Sequence, residues 1–335
     1  MEKSGLSNID FEKLREIAGN CKRVLLKLPD GLYSLSTEIS DFLSSIGVES
    51  IISANSCYGA CDFCDGIEGM EVDRIIYVGE AEMPYLRKKY PVRTSFLEIE
   101  SKFDAAGTVE KALPLLEGKR IGVVSITPYI HQMGKCIKIL EGNNFIPVVG
   151  KKSRRTSYDG QILGCDLTAG TSISGKVDSF LYVGDGLFHP LGLSLSTKKP
   201  VVVADPSQNM AMKDEIREMR QKFMKIRYAM ISNSMGKNRM GIIIGEKLGQ
   251  KRVELAYEMK KLAEEKGMEA YIISSNNLSP DRIDYMALDF YVSTSCPRIA
   301  IDDYSNYKKP LLTPIEFEIL TGEREWENYE FDQIL

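Results

Sequence analysis

The sequence predicts an α/β protein of three pseudo-symmetric domains, each a small parallel sheet flanked by helices. Three observations carry that prediction. A strand–helix–strand pattern occurs three times, a strand motif recurs at a nearly constant interval, and a cysteine falls in a comparable place in each copy. A repeat of roughly 100 residues is too long for a solenoid, so each copy reads as a domain rather than a coil of a larger helix.

The first copy opens with the apolar strand Val24-Leu25-Leu26. A helix follows with Leu35, Ile39, Phe42, Leu43 and Ile46 on one face, a stop at Gly47, and a second strand through Ile51-Ile52. In the second copy the strand Ile121 to Val124 leads to a helix facing inward with Ile130, Met133, Ile137 and Leu140. Gly142 is read as its stop, and Phe145 to Val149 as the next strand. The third has Gly241 to Ile244, a helix with Leu255, Met259 and Leu262 inward, Gly267, and Tyr271 to Ile273. Apolar residues at helical spacing, closed by a glycine, mark amphipathic helices. Near-continuous apolar strands alternating with them imply parallel sheets buried on both faces.

A further strand repeats more literally. Val72-Asp73-Arg74-Ile75-Ile76-Tyr77-Val78-Gly79-Glu80 matches Val177-Asp178-Ser179-Phe180-Leu181-Tyr182-Val183-Gly184-Asp185, and Leu288-Asp289-Phe290-Tyr291-Val292 begins a third copy that ends at Cys296. A lysine pair and a proline follow each: Lys88-Lys89-Tyr90-Pro91, Lys198-Lys199-Pro200 and Lys308-Lys309-Pro310. These repeats place the domains at 1–112, 113–208 and 233–335. Residues 209–232 form a connecting helix with Ile216, Met219, Phe223, Ile226 and Met230 inward. The basic residues between Lys213 and Arg227 read as its solvated face.

The 335 residues are 43% apolar and 27% charged, which fits a folded globular chain and excludes a disordered or fibrous one. A net charge of −4 argues against direct nucleic-acid binding by bulk electrostatics. No apolar run is long enough to span a membrane, and the first residues lack the apolar core of a signal peptide, so a cytoplasmic location is expected.

Seven cysteines, an odd number, point to metal binding or reactive thiols rather than a disulfide framework in a reducing compartment. With only His131 and His189 available, thiolate sulfur has to supply most ligands of any bound metal, which suits zinc or an iron–sulfur cluster. Cys61 follows the second strand of copy one, Cys165 lies in the loop after the second strand of copy two, and Cys296 ends a strand of copy three. When the aspartates of the echoed strand are aligned, Cys296 takes the place of Glu80 and Asp185. Loops leaving the carboxyl ends of parallel strands form the ligand crevice of such sheets. Three thiolates, one per domain around a central crevice, would hold three irons of a 4Fe–4S cluster and leave the fourth open. A rival reading is local. Cys57, Cys61 and Cys64 have the C-x3-C-x2-C spacing by which ordinary radical S-adenosylmethionine enzymes bind a cluster on one loop. That loop belongs after the first strand of an α/β barrel, and here it follows a second strand and leaves Cys165 and Cys296 without a role. A zinc knuckle in the same loop lacks an adjacent fourth ligand. Cys21 and Cys136 read as structural.

The segments Ser53 to Asp62, Gly160 to Asp166 and Thr294 to Asp302 resemble, in order, three signatures of the enzymes for the first step of diphthamide biosynthesis. Pro29-Asp30-Gly31-Leu32 and Tyr182 to Pro190 match as well, and the likeness covers essentially the whole chain. The single-chain form resembles the archaeal homodimeric enzyme. The resemblance implies a 4Fe–4S cluster held by Cys61, Cys165 and Cys296. It implies S-adenosylmethionine as co-substrate, cleaved between sulfur and Cγ, with the 3-amino-3-carboxypropyl group passing as a radical to imidazole C-2 of a histidine in translation elongation factor 2. It also implies a low-potential electron donor. Cys57 and Cys64 beside Cys61 depart from what the family needs.

Candidate cofactor contacts lie in the same crevice. Asp30, Gly31, Asp185, Gly186 and His189 follow strand ends, where carboxylates suit ribose hydroxyls or an α-ammonium, although aspartates there are also common turn formers. The Gly245 to Lys251 loop, with Gly249 and Gln250, precedes a helix whose N-terminus suits the methionine carboxylate. A plain strand-to-helix turn is an equal alternative. Arg298 either supplies charge near the cluster or makes a surface ion pair. Lys151-Lys152-Ser153-Arg154-Arg155 reads as a solvated basic loop, with steering of an acidic partner as the alternative. Two other functions compete: a quinolinate synthase-like 4Fe–4S dehydratase, and a non-catalytic iron–sulfur subunit.

Overall fold

The computed structural model describes residues 9–62, 69–90 and 93–335. Among the described residues, thirteen strands build three sheets. β1 (Arg23–Lys27), β2 (Glu49–Ile52), β3 (Arg74–Val78) and β4 (Thr94–Leu97) form the first, in the order β2-β1-β3-β4. β5 (Arg120–Ser125), β6 (Ile146–Val148), β7 (Ser179–Val183), β8 (Val201–Asp205) and β9 (Met210–Met212) form the second, in the order β6-β5-β7-β8-β9. β10 (Arg239–Gly245), β11 (Glu269–Ser275), β12 (Phe290–Ser293) and β13 (Leu311–Leu312) form the third, in the order β11-β10-β12-β13. All pairings are parallel except β8 with β9. The same strand order thus recurs three times, as the repeated sequence pattern requires.

The helices stop where the glycines stand in two copies. Gly47 and Gly267 adopt φ of +79° and +77°, open to a residue without a Cβ. In the second copy the helix Met133–Gly142 runs through Gly142, and the left-handed residue is Asn144 at φ +64°. Asparagine tolerates that region better than most side chains, so it replaces the expected glycine.

The echoed aspartate has a structural cause. Asp73 Oδ2 accepts from the Lys22 and Arg23 amides at 2.6 and 2.9 Å, and Asp178 Oδ2 from those of Lys119 and Arg120 at 2.8 Å each. Asp289 Oδ2 does the same for Asn238 and Arg239, at 3.3 and 3.0 Å. Each carboxylate staples the start of its sheet's first strand in chain order (β1, β5 or β10), so the aspartate of the motif records folding rather than chemistry. These amide bonds hold the Asp73 and Asp178 carboxyls below their ordinary range. Their stabilising effect is complete above the ordinary carboxylate range and is lost as pH falls through the lowered values. An Asp178→Ala chain is expected to lose less of its melting temperature between pH 5 and pH 3 than the parent. Equal slopes in thermal scans would rule the staple out as an acid-sensitive element.

The residues pack as two compact units. The first takes the described residues up to Leu163 with Thr168–Pro190 and Lys199–Lys213, and so carries the first two sheets. The second comprises Gly164–Leu167, Leu191–Lys198 and Asp214–Leu335, with the third sheet. In the first unit, Leu26, Ile39, Leu43 and Ile76 fill one core and Val123, Cys136, Leu140 and Leu181 another. Cys136 is fully buried and Cys21 packs against the edge of the first core, as structural thiols do.

The expected connecting helix begins later than its sequence pattern. Met210–Met212 pair with β8 as an antiparallel strand, and the helix spans Asp214–Ser232. Its buried stripe is Ile216, Phe223, Arg227 and Ile231, while Met219 is exposed. Arg227, read from sequence as part of a solvated face, is wholly buried because it lies four residues from both Phe223 and Ile231 on one helical face. Among the described residues no helix is long and apolar enough to cross a membrane.

Candidate functional site

Each predicted cysteine follows the carboxyl end of a strand. In the first unit, Lys27 closes β1 and Tyr77 sits in β3, and both reach the loop after β2. The Lys27 ammonium and the Tyr77 hydroxyl donate to the Asp62 carbonyl at 2.8 and 2.9 Å, and all three residues are buried. The Asp62 carboxylate in turn accepts from the Tyr58 amide at 3.1 Å. The loop carrying Cys57 and Cys61 is therefore fixed from both central strands, with both thiols buried. Cys64 lies outside the described residues.

Gly59 makes this loop possible. Its φ is +129°, and a Cβ there would stand 3.9 Å from Cys61 Sγ and 3.7 Å from the Glu80 carboxylate. Glu80 accepts a hydrogen bond from the Ala60 amide, and burial pushes its carboxyl up to about 7. Burial likewise pushes the Cys57 thiol up to about 11. Asp185, the counterpart of Glu80 after β7, is half-buried and also raised, by burial first and then by the nearby Asp205 charge.

In the second unit the structure brings Cys165 and Cys296 together. Cys296 stands three residues beyond β12, capping the short helix Pro297–Ile301, rather than ending the strand itself. Its thiol is pushed up to about 12, first by burial and then by the charge of Cys165; the Arg298 amide, the Arg298 side chain and Arg252 act in the opposite direction. Two thiolates side by side need a shared positive group. That donor set suits a thiolate-ligated metal cluster. Among the described residues no three His, Cys, Asp or Glu side chains are gathered tightly enough to hold a single metal ion.

The cofactor candidates are placed as follows. Asp30 and Gly31 are exposed at the start of the turn Asp30–Leu35, directly after β1. Gly186 is exposed at φ +73°, and His189 stacks on Tyr182 with rings 10° from parallel and centroids 6.2 Å apart. Gly249 and Gln250 are buried, and Gln250 Oε1 lies 3.4 Å from the Ser295 hydroxyl, one residue before Cys296. The Arg298 guanidinium pairs with Asp302 at 2.7 Å, while its amide serves the Cys296 sulfur.

The basic run after β6 is exposed as expected at Lys151, Lys152 and Arg154, and Arg155 is the exception. Arg155 is buried and donates to the Tyr85 hydroxyl at 2.6 Å, and the guanidinium groups of Arg154 and Arg155 both lie over the Tyr85 ring. Lys151 pairs with Asp159 at 2.8 Å. A local carboxylate and one aromatic ring thus consume much of the charge that would steer a partner. His131 lines a cavity of about 380 Å³ with Glu98, Glu100 and Tyr158, its Nε2 3.9 Å from Glu100.

Sequence reasoning missed Lys27, Tyr77 and Arg252 as residues that hold the cysteine loops. A lysine closing the otherwise apolar Val24-Leu25-Leu26 was a readable signal for the first. Arg252 carried none, because its partners lie at distant points of the sequence.

The family model described as "Putative diphthamide synthesis protein" matches residues 28–331. A 2-(3-amino-3-carboxypropyl)histidine synthase of Pyrococcus horikoshii is 32% identical over 94% of this chain and 89% of its own. One from Methanocaldococcus jannaschii is 29% identical, over 98% and 94%. Subunit 1 of the Saccharomyces cerevisiae synthase is 26% identical, over 94% and 75%. A crystal structure of Dph2 from Pyrococcus horikoshii with a 4Fe–4S cluster superposes with a TM-score of 0.89 at 30% identity, covering 98% of this chain and 95% of the other.

Proposed function

The chain belongs to the diphthamide synthesis family, and from that premise we propose that Cys61, Cys165 and Cys296 supply the three thiolates of a 4Fe–4S cluster. The activity is that of the first step of diphthamide biosynthesis: a transferase cleaves S-adenosylmethionine and places its 3-amino-3-carboxypropyl group on a histidine of translation elongation factor 2. The observation that carries the site assignment is the hydrogen-bonded path joining two loops distant in sequence: Arg252 donates to the Thr294 and Ser295 carbonyls before Cys296 and to Asp332, and the Ile334 amide donates to the Cys165 carbonyl.

A 4Fe–4S cluster held by Cys61, Cys165 and Cys296 would supply, once reduced, the electron for opening the Cγ–S bond. The chain's own residues decide which carbon–sulfur bond is presented, since orientation selects among leaving groups of similar reactivity. Gln250 and Gly249, buried beside the strand end that leads to Cys296, are proposed to face the methionine part. Asp30, Gly31, Asp185, Gly186 and His189 are proposed as further S-adenosylmethionine contacts. Arg298 favours the Cys296 thiolate through its amide and its charge, so its ion pair with Asp302 does not remove it from the site. The same reading includes a homodimer, a low-potential electron donor, a cytoplasmic setting, and the arrangement of the three repeats about a central crevice.

Anaerobic reconstitution with iron and sulfide, reduction in the presence of S-adenosylmethionine, and chromatography of the products test it. Methylthioadenosine with a four-carbon amino-acid fragment is expected. Deoxyadenosine instead would move the cluster to the loop of Cys57, Cys61 and Cys64. No cleavage by a fully loaded chain would favour the dehydratase or the non-catalytic subunit.

A further inference from the structure

We infer that Arg252, together with the C-terminal segment Asp332-Gln333-Ile334, is a clamp that holds the Cys165 loop against the Cys296 strand end before any cluster arrives. The inference rests on the reading of these two thiols as cluster ligands and names the residues that position them.

The Arg252 guanidinium has five N–H donors in a fixed planar fork. Every one is spent within the second unit. Nε donates to the Thr294 carbonyl at 2.8 Å and Nη2 to the Ser295 carbonyl at 3.0 Å, the two residues before Cys296. Nη1 and Nη2 grip the two oxygens of Asp332 at 2.8 and 2.6 Å, and Nη1 also reaches the Gln333 carbonyl at 3.2 Å. Having no donor left, Arg252 is a positioning residue rather than a binder of substrate.

The segment it grips is tied at its other side to Cys165. The Ile334 amide donates to the Cys165 carbonyl at 2.7 Å, and the Gln333 side chain accepts from the Leu167 amide at 2.9 Å. Phe331, Asp332 and Ile334 are buried, and Phe331 lies 3.4 Å from where a Gly192 Cβ would stand, so the segment is packed as well as bonded. The chain of contacts runs from Cys296 through Ser295, Arg252, Asp332 and Ile334 to Cys165. Residues far apart in sequence are thereby held at one place by a bidentate pair that is almost out of water. Such a tie raises the effective concentration of one thiol near the other.

Dibromobimane, which joins two thiols only when they are near neighbours, reads this directly in the cluster-free full-length chain. Peptide mapping is expected to find a Cys165–Cys296 link in the parent. In Arg252→Gln its rate should fall at least about tenfold, the loss of one preorganised neighbour. Arg252→Lys, which keeps the charge but not the fork, should recover only part of it. Ile334→Pro removes the amide that donates to the Cys165 carbonyl and keeps the Arg252 side chain. It should slow the link in chains whose circular dichroism spectrum shows them to be folded, a second test that does not depend on how Arg252→Gln folds. Parent-like linking in Ile334→Pro, or in folded Arg252→Gln, would overturn the clamp. Iron uptake by the parent chain is scored separately: its failure would count against the cluster reading, whereas unchanged linking counts against the clamp. In the reconstituted protein, Arg252→Gln and Ile334→Pro should release iron to a chelator faster than the parent.

Discussion

Replacing Cys296 by alanine is expected to leave a folded chain that takes up little iron and forms methylthioadenosine at background rate. Loss of a residue that merely orients a metal ligand costs about 10–100-fold in metal affinity or activity, so loss of the ligand itself should exceed about 100-fold. Cys61→Ala and Cys165→Ala should match it, since a cubane with one thiolate per iron loses one anchor in each case. Cys57→Ala separates the two placements of the cluster. It should load iron normally if one thiolate comes from each repeat, and fail to load if the Cys57, Cys61 and Cys64 loop is the site. Iron and sulfide analysis with the electron paramagnetic resonance spectrum of the reduced protein decides between them. A Cys296→Ala chain with a parent-like spectrum and full turnover would remove Cys296 from the site. Stability should hardly suffer, because the three sheets carry their own apolar cores without the cluster.

The first three strands of each repeat, the helix between the first two of them and the loops carrying the cysteines were legible from periodicity, since an apolar stripe and a closing turn are local properties, whereas β4, β8, β9 and β13 went unread. The echo of Asp73, Asp178 and Asp289 was legible as a repeat but not as a staple. Its acceptor role involves the start of another strand some fifty residues earlier in each copy. Position 144 shows the same limit on a smaller scale: a helix end needs a left-handed residue, and either Gly142 or Asn144 could supply it until the turn itself is seen. Charge was the least legible property. Arg155, Arg227 and Arg252 look alike in sequence, each standing within two residues of another basic side chain. Arg155 and Arg227 are buried and Arg252 nearly so, each satisfied by distant partners. Local pattern does not report such long-range pairing, and that is why the residues holding Cys165 beside Cys296 escaped the reading that found the cysteines themselves.

Arg227→Ala is expected to destabilise the chain by about 3–5 kcal/mol, the usual result of leaving one charge of a buried pair uncompensated. Arg227 Nε and Nη2 grip the two Glu316 oxygens at 2.7 and 2.6 Å, and neither side chain has measurable exposure. Glu316 also accepts from the Tyr329 hydroxyl at 3.0 Å and from the Thr313 amide at 2.8 Å, closing the capping box of the helix Pro314–Thr321. Removing Arg227 therefore strands a carboxylate that two further groups depend on. The remaining guanidinium bonds reach the carbonyls of Ala300 and Leu311, at 2.7 and 2.8 Å. Ala300 belongs to the helix capped by Cys296, so the same substitution should loosen the strand end that presents this thiol. Arg227→Met with Glu316→Gln removes both charges together and should cost less than Arg227→Ala alone, because an uncharged amide in that site needs no counter-ion. Urea unfolding of the cluster-free chains measures both. A loss below about 1 kcal/mol for Arg227→Ala would mean that water reaches Glu316 once the guanidinium is gone. A double variant no better than the single one would mean that the bonds to Ala300 and Leu311, rather than the charge pair, are what the fold depends on at this position.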